Sequence, residues 1–390
     1  MKKILFVFGG EKASGAEFVI ERLVRNIPES NSYLLMAPGK YADQLKREKL
    51  TYELILNQNL RKLYKDNSPK LSVLYNLIEN MLKINLFVLR FIFKKNVDVV
   101  HCNTLVPSIY LFPSLLITRL IKPKLKWIWS DHDLDYAGSK LMMKIAPKMV
   151  TFFHKTLVVS KAVLEKFPEK LHPKIEILYN GLDLDFISID DKMNSEFRGK
   201  FAISQQANVF GIMGQIVPRK GVLRLIKVFG EEFGNQPDYT LLIAGAPLFE
   251  QDPYFQDCVK EGSKYNNIIF TGFLTNISAY YNAIDFLINN SSHDGSEPLG
   301  TTILEGMAYK KTVLVSNVGG SKEIVNSDEV GIVYEADSDS ALKKALLDAS
   351  ALSENEKDKI GQAAYHRIKK DFNIKAMKKN YLKIIGGLDV

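Results

Sequence analysis

Cysteine is nearly missing from this chain of 390 residues: there are two, Cys102 and Cys258, in different halves. No disulfide framework is implied, which removes the usual argument for an oxidising compartment. Long apolar runs are missing as well, and no stretch reaches the uncharged length of a membrane span. The opening MKKILFVFGG imitates a signal peptide through its two lysines, but its apolar run is only Ile4–Phe8. That run reads as a buried first strand. Repeats of solenoid length and low-complexity tracts are absent. A cytoplasmic protein is the simplest expectation. Hydrophobic content of 46% and charged content of 25% suit an ordinary globular protein. The length points to two domains.

Charge is not evenly shared. Residues 1–195 carry 30 Lys/Arg against 20 Asp/Glu, a net of +10, and residues 196–390 carry 22 against 24, a net of −2. A basic half beside a near-neutral one suggests separate partners. Nucleic acid finds no supporting motif. The densest basic region, residues 60–96, is interleaved with Tyr64, Tyr75, Phe87, Phe91 and Phe93. Its helical pattern from Leu71 to Phe93 is apolar over more than half the circumference, more than a surface helix needs. Two readings follow: an interfacial helix on an anionic membrane surface, or a core helix with a basic outer edge.

Short apolar runs alternate with helical patterns throughout, one of the latter running from Pro107 to Ile121. In the first half Ile4–Phe8, Tyr33–Met36, Tyr52–Leu56, Val97–His101, Trp127–Ser130, Thr156–Val159 and Ile175–Leu178 read as strands. Strict strand–helix alternation gives an α/β protein with a parallel sheet covered on both faces. The mixed stretch 190–206 has little periodicity and is expected as a boundary. A second strand–loop–helix series then starts at Val209–Met213. It places Arg219 and Lys220 at a helix mouth, where adjacent cations complement a diphosphate.

The densest signal runs from Phe286 to Val325. A short strand, Phe286–Ile288, leads to a polar loop, then Glu297, Pro298 and a helical pattern with Glu305. Proline suits the first helical position. A helix starting there would set Glu297 and Glu305 roughly 12 Å apart along its axis. Free N–H groups near Gly300, Thr301 and Thr302 would form a phosphate seat. A β-branched strand, Thr312–Val315, and Gly319-Gly320 follow.

Glu297-x7-Glu305, set in EPLGTTILEGMA and followed by paired glycines, resembles the signature of retaining glycosyltransferases of the GT-B fold, family 4. The resemblance implies two Rossmann-like domains whose parallel sheets face each other across a cleft. These would be residues 1–190 on the acceptor side and 205–370 on the donor side, with a terminal helix, 371–390, crossing back to the first. It implies that Glu297 contacts the donor sugar, that Glu305 binds the ribose hydroxyls, and that the backbone of Leu299, Gly300, Thr301 and Thr302 holds the diphosphate. Lys220 matches the lysine of the family's GR…KG motif. Gln215 stands at the usual arginine position, which makes Arg219 the substitute, and Gly214 opens that donor-binding loop. Ser14-Gly15-Ala16-Glu17 resembles the family's GGAE loop, with Gly15 as a backbone contact. Phe273 and Leu274 match a loop whose backbone reads the nucleobase. His132 matches a histidine that meets the donor sugar, and His101 one that supports a loop. Leu178–Asp183 resembles the NGID turn that closes the first domain.

The implied activity is sugar transfer from a nucleoside diphosphate sugar, a UDP-sugar foremost, to a saccharide or lipid-linked acceptor. Bacterial surface polysaccharide or glycolipid synthesis, at the inner face of the cell membrane, is the implied setting. A nucleotide-sugar epimerase and a non-catalytic nucleotide-sugar binder would share the fold. Four D-x-D pairs, beginning at Asp131, Asp133, Asp183 and Asp337, fall among turn formers. A helix mouth and cations serve the phosphates, so no metal is expected.

Overall fold

The structure is a computed structural model describing residues 2–9, 15–27, 32–60, 70–136, 138–247, 249, 251–294 and 297–389. Ser14, and residues 61–69 of the basic stretch, lie outside the described residues. The chain divides into two compact units, Met1–Gly181 with Ile374–Val390, and Leu182–Asn373.

In the first unit the strands are β1 (Ile4–Phe8), β2 (Ser32–Met36), β3 (Glu53–Leu56), β4 (Val99–Asn103), β5 (Lys126–Asp131), β6 (Lys155–Val158) and β7 (Ile175–Ile177). All pairings are parallel, in the order β3-β2-β1-β4-β5-β6-β7. β1, β2 and β4 are buried at every position, as expected of strands covered on both faces. The last helix, Ile374–Gly386, returns to this unit. Ile374, Met377, Tyr381 and Ile385, spaced at helical intervals, sink into the core that holds Phe6, Leu34 and Ile128.

The second unit repeats the plan with β8 (Asn208–Met213), β9 (Tyr239–Ala244), β10 (Ile268–Gly272), β11 (Phe286–Asn289), β12 (Thr312–Ser316) and β13 (Ile332–Tyr334). Their order is β10-β9-β8-β11-β12-β13, again parallel throughout. The order reverses between β8 and β11, and between β1 and β4 in the first unit. Such reversals leave a crevice outside the carboxyl ends of the strands, where open α/β sheets bind ligands. Among the described residues, no helix is long and apolar enough to cross a membrane.

Three local expectations change. The division falls after Gly181, and the stretch 190–206 contains a helix, Asp191–Lys200, within the second unit. Asp190 caps it by accepting from Lys192 N at 2.8 Å. Its buried contributors are Phe197 and Arg198, whose guanidinium donates to Ala283 O, Ala207 O and Asp285. A helix anchored by a buried arginine shows no apolar period. The segment read as one helix over 107–121 is two, Leu105–Tyr110 and Phe112–Ile121, broken at Leu111. The helix after Glu297 starts at Thr301, not at Pro298, because Gly300 takes φ 84°, ψ 70° and cannot sit inside a right-handed helix.

Candidate active site

The site in the second unit is assembled by two loops, one after β8 and one after β11. Gly221 ends the first at φ 61°, and a Cβ there would stand 2.3 Å from Asn290 O. Only glycine permits that approach. Asn290 Nδ2 donates to Gly221 O at 2.8 Å, and Ser292 N donates to Arg219 O at 3.0 Å. The loops are thus tied through backbone, and Arg219 and Lys220 are fixed beside the polar loop 289–294.

Glu297 is the centre of this arrangement. It is 5% exposed, and its Oε2 accepts from Lys220 Nζ, from Ser291 Oγ at 2.8 Å and from Asn289 Nδ2 at 3.2 Å. Burial pushes the carboxyl toward its neutral form. The Lys220 charge and hydrogen bond, helped by Ser291 and Asn289, outweigh that and hold it below the usual carboxylate range. The other oxygen, Oε1, lies 3.7 Å from the point where Gly300 would carry a Cβ. Lys220, Glu297 and the start of the helix Thr301–Ala308 therefore meet at one place.

Gly300 offers no side chain to cap that helix, and an end of that kind suits an anion. Leu299 is buried, and Thr301 and Thr302 are half-buried. The paired glycines have a direct part. Gly320 N donates to Glu297 O at 3.0 Å, and a Cβ on Gly320 would stand 2.5 Å from Pro298 O. One turn into the helix, Glu305 accepts from the buried Tyr281 hydroxyl at 2.7 Å, and Tyr281 stacks on Tyr309 with ring centres 5.1 Å apart.

Gly214, Gln215 and Lys220 line a small pocket together with Ala244 and Asn289, at the carboxyl ends of β8, β9 and β11. Asn289 Oδ1 is buried without a hydrogen-bond partner in this wall. A ligand donor would satisfy it. Phe273 and Leu274 follow β10 at the sheet edge, with Phe273 largely exposed.

In the first unit Gly15 opens the helix Gly15–Arg25. His132 follows β5 and is half-buried as a residue, yet its Nε2 is shielded and has no hydrogen-bond partner. Burial, and then the Lys166 charge, push its pKa down to about 3. The ring is neutral at physiological pH. Its neighbour Asp131 is fully buried against Lys166 at 2.6 Å. His101 is structural: Nδ1 meets the Tyr381 hydroxyl at 3.0 Å and Nε2 the Ser130 hydroxyl at 2.6 Å. Aspartates of the D-x-D pairs have local work too, Asp337 pairing with Arg224 and accepting from His293 N at 2.8 Å.

The model for "Glycosyl transferases group 1" matches residues 193–367, and that for "Glycosyltransferase Family 4" matches residues 13–186. Together they account for most of both units. The chain is a glycosyltransferase of the GT-B type. An uncharacterized glycosyltransferase of Methanocaldococcus jannaschii is 25% identical over 98% of each chain. A GDP-mannose-dependent phosphatidylinositol monomannoside mannosyltransferase of Corynebacterium glutamicum is 27% identical over 49% of this chain and 51% of its own. Anabaena HepE, solved with UDP-glucose, shares the fold with a TM-score of 0.80 at 18% identity, over 99% of this chain and 100% of its own.

In this glycosyltransferase three further side chains hold the two glutamates, and no sequence motif marked them. Asn289 and Ser291 lay in what read only as a polar loop. Tyr281 is separated from Glu305 by 24 residues. The run Asn289-Asn290-Ser291-Ser292, directly after a buried strand, was the available signal.

Proposed function

We propose that this glycosyltransferase moves a hexose-type sugar from a nucleoside diphosphate sugar to a saccharide or lipid-linked acceptor, with retention at the anomeric carbon. The reading is supported above all by one observation: Lys220, Glu297 and the uncapped helix at Gly300 meet at the carboxyl ends of β8 and β11. In the proposed reaction the acceptor hydroxyl attacks the anomeric carbon on the face from which the diphosphate leaves. The sugar–phosphate C–O bond breaks as the new one forms, and the hydroxyl proton passes to a departing phosphate oxygen. Lys220, Arg219 and the first N–H groups of the helix take up the developing negative charge.

Glu297, kept ionised by Lys220, offers Oε1 to sugar hydroxyls, and Glu305, steadied by Tyr281, accepts from the ribose. The backbone at Gly15 and Gly214 contacts the donor, and that of Phe273 and Leu274 reads the base. His132, neutral and with a free ring nitrogen, suits a sugar hydroxyl. A UDP-sugar is the first donor to try, since HepE was solved with UDP-glucose, and GDP-mannose the second, since the Corynebacterium relative is named for it. Surface polysaccharide or glycolipid synthesis on the cytoplasmic side of the membrane is the proposed setting.

The test incubates the protein with a panel of nucleotide sugars, with and without bacterial membrane extract, and follows free nucleoside diphosphate. Release that needs the extract, giving a product of unchanged anomeric configuration by NMR, supports the proposal. Isomerised donor without release, or binding without turnover, would sink it.

A further inference from the structure

Exposed large apolar side chains are concentrated on two helices of the first unit. Of nineteen among the described residues, nine belong to Lys70–Lys95 and Phe112–Ile121. On the longer helix they are Tyr75, Ile78, Leu82, Leu86 and Phe93. At about 100° per residue these positions fall within about 80° of one another, a single stripe along the helix. It is not the core face, which Ile84, Val88 and Ile92 occupy with no exposure. On the shorter helix Leu116, Ile117, Leu120 and Ile121 are exposed, Leu120 by 85%.

The two faces adjoin. Asn85, at the border of the stripe, accepts from Ser114 N at 2.8 Å. Lys122 Nζ lies 5.8 Å from the centre of the Phe93 ring and donates to Asn96 Oδ1 at 2.9 Å. Contact advances by eight residues on each helix, from 85 to 93 and from 114 to 122, so the two lie side by side and parallel. Their charge has one sign. Glu79 is the single acid among the described side chains of these helices, and it is paired with Lys83. Arg90, Lys94 and Arg119 are exposed.

We propose that this face docks the protein on an anionic lipid bilayer. The apolar stripe enters the boundary of the acyl chains, and the arginines and lysines reach the headgroups. A contiguous apolar patch rimmed by cations fits that surface. A second copy of the chain would cover the same apolar residues but set Arg90, Lys94 and Arg119 against a like-charged rim, which opposes it. Docking is read without donor or acceptor, so its failure would leave the proposed sugar transfer standing.

The full chain is sedimented with vesicles of phosphatidylcholine alone and of phosphatidylcholine mixed with phosphatidylglycerol. Binding is expected to the anionic vesicles, weakening as salt rises. R90Q/K94Q should lower the partition coefficient about thirtyfold. L82Q/L120Q should lower it about tenfold or more. Both variants should keep the wild-type melting temperature and nucleotide affinity, because the four positions are exposed. Equal binding to both vesicle types, or an L82Q/L120Q protein that binds as well as wild type, would overturn the proposal. So would a dimer, seen by sedimentation velocity without vesicle binding, that L82Q/L120Q dissociates.

Discussion

Replacing Lys220 with alanine removes the cation that keeps the buried Glu297 ionised. Breaking a buried pair from one side costs about 3–5 kcal/mol. The Lys220 side chain is 18% exposed, which puts the loss near the lower end, about 3 kcal/mol. For a unit of this size about 2–4 °C is lost per kcal/mol, so the melting of the second unit should fall by about 6–12 °C. The pH dependence should reverse as well. In the wild type the Glu297 carboxyl is held below its ordinary value of 4.5, so its stabilisation is present above that pH and lost as pH falls through the lower folded value. Without Lys220, burial dominates and lifts the carboxyl above its unfolded value. The penalty is then present at neutral pH and relieved on acidification. Turnover should drop about 10²–10³-fold, as when one preorganised charge is taken from a transition state. Calorimetry across pH and a nucleotide-release assay measure both. Adding Glu297→Gln to Lys220→Ala should restore the melting temperature without restoring turnover. A Lys220→Ala protein that melts like wild type at every pH, or a double variant that regains activity, would refute the reasoning.

Tyr281→Phe removes the hydroxyl that steadies Glu305, at about 1 kcal/mol, and should weaken nucleotide binding about fivefold in calorimetric titration while leaving kcat alone. Gly221→Ala forces a side chain into φ 61° and against Asn290 O, so a loss of roughly 1–3 kcal/mol from strain, and more from the clash, is expected in denaturant melts. His101 and His132 are both pushed down to about 3 from an ordinary 6.5, burial being the main cause. The unfolded chain binds more protons between those values, so stability should fall as pH drops below about 6.5, and His101→Phe with His132→Phe should flatten that slope in melts.

Much of the fold was open to sequence reading because each buried parallel strand is an apolar run too short for a helix. Ile4–Phe8 and Thr312–Ser316 are plain cases. Glu297 and Gly319-Gly320 were visible because the turn they build needs those residue types, and Glu305 through its spacing from Glu297. What stayed hidden depends on partners far away in sequence or on dihedral angles. Nothing near Pro298 announced that Gly300 would turn left-handed and delay the helix to Thr301. Asn289 and Ser291 read only as part of a polar loop, because the single carboxylate oxygen on which their donors meet belongs to a residue placed there by the fold. His101 looked like a loop support, and the hydroxyl that fixes it stands 280 residues later.

That last pairing governs how the chain can be made and cut. The first unit's interior includes Met377, Tyr381 and Ile385, which are synthesised only after the whole of 182–373. A fragment ending at Gly181 would be born with a groove where the terminal helix belongs, whereas 182–373 is one uninterrupted piece. During synthesis the opening half must wait, part-finished, until the whole of the second unit has been made.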